Sequence, residues 1–287
     1  GMRDFGKSAF FHLQDRTGFI WFATADGLVR FDSLELRAFR SDPKNRRTIA
    51  NNSVWDIAED PDGNLWLGTD SGLDVWRRTT EDVERIPLPQ PPGAAAGATG
   101  VRRIVLDEGH CLWLATYGAG LLRYDLRTQT ITAFGTATPV GDHLSDDTLL
   151  ALFKDSRGML WAGTLRGGLN AFDPATLRVR VFRHDPAVPG SLAANQVSSI
   201  GEDINGQIWA GTSAGVSRLR SGQTAFDHFF FNVADPAALQ GTRVDALLRD
   251  RDGHLWIGTD GGGLSRFDSR TSSFTWSLRA LWTGRTR

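Results

Sequence analysis

Residues 62–73 read DGNLWLGTDSGL, and the chain writes nearly the same phrase five more times. The other copies are RTGFIWFATADGL (16–28), EGHCLWLATYGAGL (108–121), SRGMLWAGTLRGGL (156–169), INGQIWAGTSAGV (204–216) and RDGHLWIGTDGGGL (251–264). A catalytic motif is usually written once, whereas a phrase in every unit of an array builds the scaffold. The tryptophans of the copies are Trp21, Trp66, Trp113, Trp161, Trp209 and Trp256, spaced by 45, 47, 48, 48 and 47 residues. A period in the forties made of short apolar runs and Gly-rich turns points to a β-propeller.

The second unit shows the expected blade. SVWDIAED (53–60) is the innermost strand, PDGN (61–64) a tight turn with Gly63 at positive φ, and LWLGT (65–69) the next strand. DSG (70–72) turns again, LDVWRR (73–78) is the third strand and VERIPL (83–88) the fourth. One flat indole per blade is suited to fill the gap between facing sheets, and the small Gly-Thr after it lets the strand end pack closely. An Asp stands six residues before each Trp (Asp15, Asp60, Asp107, Asp155, Asp203, Asp250). Its expected role is to cap the hairpin turn through nearby backbone rather than to bind metal, because the six copies fall on six blades. The fold expected is all-β, a propeller of six four-stranded repeats in a single domain over 2–287. An incomplete seven-bladed propeller is the alternative.

Composition narrows the function classes. The chain has 287 residues, 40% apolar and 23% charged, with a formal net charge of −1, so no overall basic field draws nucleic acid or an anionic membrane. Cys111 is the only cysteine, which excludes an intramolecular disulfide and a Cys-based zinc cluster; within a strand pattern it reads as a buried thiol. No apolar run is long enough to span a membrane. Gly1-Met2 resembles an expression remnant, with an upstream segment removed. GAAAGA (93–98) reads as a loop, and SLRALWTGRTR (277–287) as a tail outside the repeat.

The sequence resembles the two-component regulator propeller repeats of sensor regions in bacterial hybrid histidine kinases and related diguanylate cyclases. The phrases that carry the resemblance are LQDRTGFIWFATADGLVRFD (13–32), IAEDPDGNLWLGTDSGLDVW (57–76) and LLRDRDGHLWIGTDGGGLSRFD (247–268). The inter-blade segment FRHDPAVPGSLAANQVSSI (182–200) and its weaker copy FRSDPKNRRTIANNSVWDI (39–57) add to it. The resemblance runs over roughly residues 9–277. It implies a periplasmic sensor propeller that binds a small molecule, often an oligosaccharide, and signals across a membrane through segments absent from this chain. Any kinase or cyclase activity would lie in those segments. Relatives carry two seven-bladed propellers, a β-sandwich, a membrane helix and an output domain; six repeats and none of the rest are seen here, which fits a truncated or excised piece. A homodimer is compatible with exposed sheet edges.

A propeller offers its ligand the mouth of the central channel, reached by inter-blade segments and by the turns after each Gly-Thr. The residues expected there are Asp26, Trp55, Arg102, Tyr117, Arg166, Arg243, Asp245 and Asp260, with Asp70, Arg103 and Asn195 beside them. Rings stack on sugars, while Arg and Asp bind hydroxyls. No catalytic residue, cofactor or metal site is expected. The enzyme alternative is a stand-alone propeller resembling streptogramin lyases, with His143 as the one candidate base. Asp245 and Asp260 are the one acid pair considered for glycoside hydrolysis. A protein-interaction platform is the third reading.

Overall fold

The computed structural model describes residues 9–90, 99–107, 110–137, 142–232, 234–235, 238–239 and 241–278. The expected loop at 93–98 and most of the tail after 277 lie outside them. Cα packing divides the chain into two compact units, Gly1–Pro139 with Asp147–Leu149, and Val140–Asp146 with Leu150–Arg287. Among the described residues there is no helix, and the strands form six four-stranded antiparallel sheets, each a meander in chain order.

The first sheet holds β1 (Ala9–Gln14), β2 (Ile20–Thr24), β3 (Gly27–Phe31) and β4 (Leu36–Phe39). The second holds β5 (Val54–Glu59), β6 (Leu65–Thr69), β7 (Gly72–Trp76) and β8 (Val83–Ile86), the four strands expected of that unit. The third holds β9 (Gly100–Asp107), β10 (Cys111–Tyr117), β11 (Leu121–Asp125) and β12 (Ile131–Phe134). The fourth holds β13 (Leu149–Lys154), β14 (Leu160–Thr164), β15 (Leu169–Phe172) and β16 (Val179–Phe182). The fifth holds β17 (Val197–Glu202), β18 (Ile208–Thr212), β19 (Gly215–Leu219) and β20 (Phe226–Phe229). The sixth holds β21 (Val244–Arg249), β22 (Leu255–Thr259), β23 (Gly263–Asp268) and β24 (Ser273–Leu278), so its outer strand runs into the segment expected to leave the repeat.

The core lies between neighbouring sheets, as the repeated tryptophan implies. In the first unit Trp21 and Leu28 pack on Val54, Ile57, Leu65 and Trp76 of the next sheet. Trp66 and Val75 likewise pack on Val101, Ile104, Leu112 and Tyr124. In the second unit Trp161 faces Val197, Ile200 and Ile208, and Trp209 faces Val244, Leu255 and Phe267. Cys111 is buried within the third sheet, as expected.

The glycine two places after Trp66, Trp161 and Trp209 is required by the neighbouring sheet. A Cβ on Gly68 would sit 2.8 Å from the Val101 carbonyl oxygen, and one on Gly163 would sit 2.7 Å from that of Val197. The threonine that follows closes the β-turn. Its hydroxyl donates to a glycine carbonyl in every copy: Thr24 to Gly27 (2.7 Å), Thr69 to Gly72 (3.1 Å), Thr116 to Gly120 (2.7 Å), Thr164 to Gly168 (2.9 Å), Thr212 to Gly215 (2.9 Å) and Thr259 to Gly263 (3.4 Å).

The Asp has a second partner beyond the turn it caps. In Asp60, Oδ1 accepts the backbone N–H groups of Asp62 and Asn64, both at 2.9 Å, while Oδ2 accepts Nε1–H of Trp66 at 2.9 Å. The indole bond is present in all six copies, at 2.8 Å for Trp21, 3.3 Å for Trp113, 2.9 Å for Trp161, 3.0 Å for Trp209 and 2.7 Å for Trp256. A buried indole N–H needs an acceptor, and the turn supplies it.

The long inter-sheet segments are internally tied. His184 N–H donates to Asn195 Oδ1 (2.8 Å), Asp185 N–H to Ser191 Oγ (2.9 Å), and Leu192 is fully buried. The weaker copy repeats each feature: Ser41 N–H to Asn52 Oδ1 (2.7 Å), Asp42 N–H to Thr48 Oγ1 (2.9 Å), and buried Ile49. Asn195 thus braces its own loop.

Candidate functional site

The innermost strands share an irregularity that the alternating sequence pattern does not announce. In β1, β5, β9, β17 and β21 the pairing register slips at one residue, between Ala9 and Phe11, Val54 and Asp56, Val101 and Arg103, Val197 and Ser199, and Val244 and Ala246. The residues at the slip are Phe10, Trp55, Arg102, Ser198 and Asp245. A β-bulge re-aims its side chain, and the five bulges recur at one position of the repeat, three in the first unit and two in the second.

In the first unit three bulge residues form a column. The Phe10 and Trp55 rings stack at 4.1 Å with 17° between planes. The guanidinium carbon of Arg102, on β9, lies 3.7 Å from the ring centroid of Trp55, on β5, and 5.1 Å from that of Tyr117. Asp70, in the turn after Thr69, accepts Trp55 Nε1–H at 2.7 Å and lies 3.5 Å from Arg102 Nη2. Burial lowers the Arg102 pKa, with Asp70 and then Tyr117 opposing the shift. Its Nε is buried without a hydrogen-bond partner among the described residues. Tyr117 is 43% exposed, so the column ends on a ring open to solvent. Cation–π contact of this kind contributes ~1 kcal/mol or more.

Beneath the column, Asp56 is buried and bridges two sheets: Oδ2 accepts Ile104 N–H at 2.7 Å and Oδ1 accepts Ile57 N–H at 3.0 Å. Burial pushes its pKa up to about 6, against the pull of Arg103 and these backbone donors. Arg103 Nη1 also donates to the Trp55 carbonyl at 3.4 Å. Asp26 is ion-paired to Arg40 at 3.1 Å.

In the second unit Arg243, Asp245 and Asp260 come together. Arg243 Nε lies 2.9 Å from Asp245 Oδ1 and its Nη2 lies 3.1 Å from Asp260 Oδ2. Hydrogen bonding to Asp245, and its charge, raise the Arg243 pKa. The two carboxylates therefore share one cation. Arg166 is held by its backbone, whose N–H donates to Asp146 Oδ2 at 2.9 Å, and its guanidinium makes no hydrogen bond or ion pair among the described residues. His143 is exposed; the neighbouring Asp142 carboxylate is engaged by Arg178 (3.0 Å) and by Val179 N–H (3.1 Å).

Asp250, Asp252 and His254 place ligand-type atoms within 4.8 Å of one another. This group is the sixth copy of the Asp–Trp latch, with Asp250 bonded to Trp256 Nε1 and His254 Nδ1 against Asp250 Oδ2 at 3.2 Å.

Two sequence expectations thus separate. Trp55, Arg102 and Tyr117 meet, with Asp70, in one cluster; Arg243, Asp245 and Asp260 meet in another. Phe10 was not among the expected residues, because the segment before the first repeat matches the others poorly; its place one residue after Ala9, as Trp55 follows Val54, was the available signal.

Residues 48–71, 191–214 and 238–261 match the family described as the two component regulator propeller. A 94-residue stretch, 32% of this chain, is 31% identical to "Histidine kinase P4" of Formosa agariphila, of which it spans 7%. Among solved structures, the extracellular domain of a putative one component system from B. thetaiotaomicron aligns with 96% of this chain and 42% of its own, at 22% identity and a TM-score of 0.56. A streptogramin B lyase aligns with 95% of this chain and 84% of its own, at 14% identity and a TM-score of 0.67. These structures share the fold, a β-propeller. The chain spans less than half of the bacterial extracellular domain and a small part of the kinase.

Proposed function

Starting from a chain that carries two-component regulator propeller repeats, we propose that it is the ligand-binding part of an extracellular or periplasmic sensor, a single propeller domain without catalytic activity of its own. The ligand class is a small saccharide. The observation that carries this reading is the column Phe10–Trp55–Arg102–Tyr117 with Asp70 at its side. An open aromatic ring offers a face for the apolar side of a pyranose, and the Asp70 carboxylate offers an acceptor for hydroxyls.

The mechanism follows from how the column is held. Asp70 ties Trp55, and Arg102 is clamped between two rings, so the platform is preorganised and little side-chain entropy remains to be lost on binding. Phe10, Trp55 and Arg102 sit at bulges of three different innermost strands, and Tyr117 ends the second strand beside Arg102. A ligand that spans them would favour one arrangement of those strands and pass its binding energy into that choice. Output would follow in segments beyond this chain. A sugar panel tested by titration calorimetry decides the matter: binding of a member, lost in Trp55→Ala with folding intact, supports the reading, and binding unaffected by the substitution removes it.

A further inference from the structure

The repeats differ at one structural position that matters for packing. The residue three places after the conserved apolar residue of the third strand is Phe31, Trp76, Tyr124, Phe172, Leu219 and Phe267 in chain order. It is aromatic in every copy except the fifth. Where this ring is present between neighbouring sheets of one unit, it packs on the preceding repeat's tryptophan. Trp76 lies 5.0 Å from Trp21, Tyr124 5.3 Å from Trp66, and Phe267 4.5 Å from Trp209. At Trp161 the corresponding side chain is Leu219, and the plug is missing.

The space is left as a crevice of about 780 Å³ between the fourth and fifth sheets, at the ends that carry the Asp155 and Asp203 turns. The matching crevices measure about 450 Å³ beside Tyr124 and about 320 Å³ beside Phe267. Its floor is apolar, with Trp161, Phe182 and Leu219 among the lining residues. Four arginines, Arg157, Arg178, Arg180 and Arg220, line the crevice together with two aspartates, Asp155 and Asp173, whose carboxylates accept from Trp161 Nε1 and Thr176 Oγ1. Arg157 is held by neutral acceptors, Ser221 Oγ at 3.1 Å and Gly206 O at 2.9 Å, and Arg180 lies over the Phe182 ring at 4.8 Å. Among the described residues neither has a carboxylate partner, whereas Arg178 and Arg220 on the same rim are paired with Asp142 and Asp227.

We infer that this crevice is a second binding site, for a small planar aromatic molecule bearing an anionic group. The ring takes the place that an aromatic side chain holds in the other repeats, against Trp161, and the anion lies between Arg157 and Arg180. Burying one ring face against an indole and pairing an anion with an unneutralised guanidinium are each favourable, and the cavity is of ordinary ligand size. The site is separate from the Trp55 column and does not depend on the sensor reading.

The probe is 8-anilinonaphthalene-1-sulfonate, a fused-ring sulfonate whose fluorescence rises in apolar surroundings, applied to the full chain. One molecule is expected to bind per chain. Leu219→Phe, which restores the side chain that the sixth copy carries, should abolish the signal while leaving the thermal unfolding transition at or above that of the parent. Arg157→Gln with Arg180→Gln should weaken binding about tenfold or more, and the uncharged N-phenyl-1-naphthylamine should not show that loss. Trp55→Ala should leave the signal unchanged. Undiminished binding in Leu219→Phe overturns the site, and equal affinity in the double Gln variant overturns the assignment of an anion.

Discussion

Trp209 Nε1 donates to Asp203 Oδ2 at 3.0 Å, while Oδ1 of the same carboxylate accepts the N–H groups of Asn205 and Gln207. One side chain thereby fixes the hairpin turn and the indole that fills the gap to the next sheet. Asp203→Ala leaves a fully buried indole N–H without its acceptor and frees two turn donors. The expected loss of stability is ~2–4 kcal/mol by urea denaturation. Trp209→Phe made in the Asp203→Ala background should cost measurably less than in the parent chain.

Asp74 yields an expectation with a defined sign in pH. It is buried and accepts Ala50 N–H at 2.6 Å. Burial pushes its pKa from 3.8 up to about 6, against that bond and the pull of Arg85. The folded state therefore holds this proton more tightly than the unfolded chain. The associated stability is full below about pH 3.8 and is lost as pH rises through about 6. The fourth sheet uses Asn170 at the same position, with Oδ1 accepting Ser145 N–H at 2.9 Å. Asp74→Asn should accordingly raise stability above pH 7 by as much as ~3 kcal/mol and have little effect at pH 4. An unchanged or lowered melting temperature at pH 8 would contradict this.

Asp15 has the opposite sign. Burial opposes its ionisation, but hydrogen bonds from Trp21, Arg78 and Thr17 outweigh it and bring the pKa down to about 2. Its contribution is present above pH 3.8 and is lost as pH falls toward 2. Arg78→Met removes one of these donors, 2.9 Å from Asp15 Oδ2. The variant should lose stability at pH 7 and differ less from the parent at pH 2, as followed by circular dichroism.

Gly211 tests the close approach of sheets. A Cβ there would meet the Ser199 hydroxyl and lie 2.6 Å from Val244 Cγ1. Gly211→Ala should cost ~1–3 kcal/mol, the usual penalty of overpacking, although alanine stands at the equivalent places Ala23 and Ala115. A neutral result in thermal melts would mean that the fifth and sixth sheets separate easily.

Much of this architecture was legible because burial repeats with the sequence. LWLGT at 65–69 was read as a strand and is one, since its edges are fixed by Gly63 and by the Thr69 turn. The Asp–Trp bond was within reach of the same reading: an invariant six-residue offset plus a buried N–H donor demands an acceptor. The bulges were not, because a register slip leaves no mark in apolar alternation. It moves Trp55 and Arg102 out of the pattern that reads the rest of their strands, and it carries Phe10 into a site that only its place after Ala9, matching Trp55 after Val54, signalled. Arg243, Asp245 and Asp260 were expected at a site, yet their mutual pairing depends on side-chain geometry that spacing does not encode.

The central claim is that the Trp55 column holds the ligand, and indole resonances of the isotope-labelled chain test it most directly. With a saccharide that binds, the Trp55 indole N–H signal, assigned through Trp55→Phe, is expected to shift on titration, while those of Trp21, Trp66 and Trp209 stay in place. Saturable binding that leaves the Trp55 signal unmoved, or moves the buried tryptophans instead, would contradict the account.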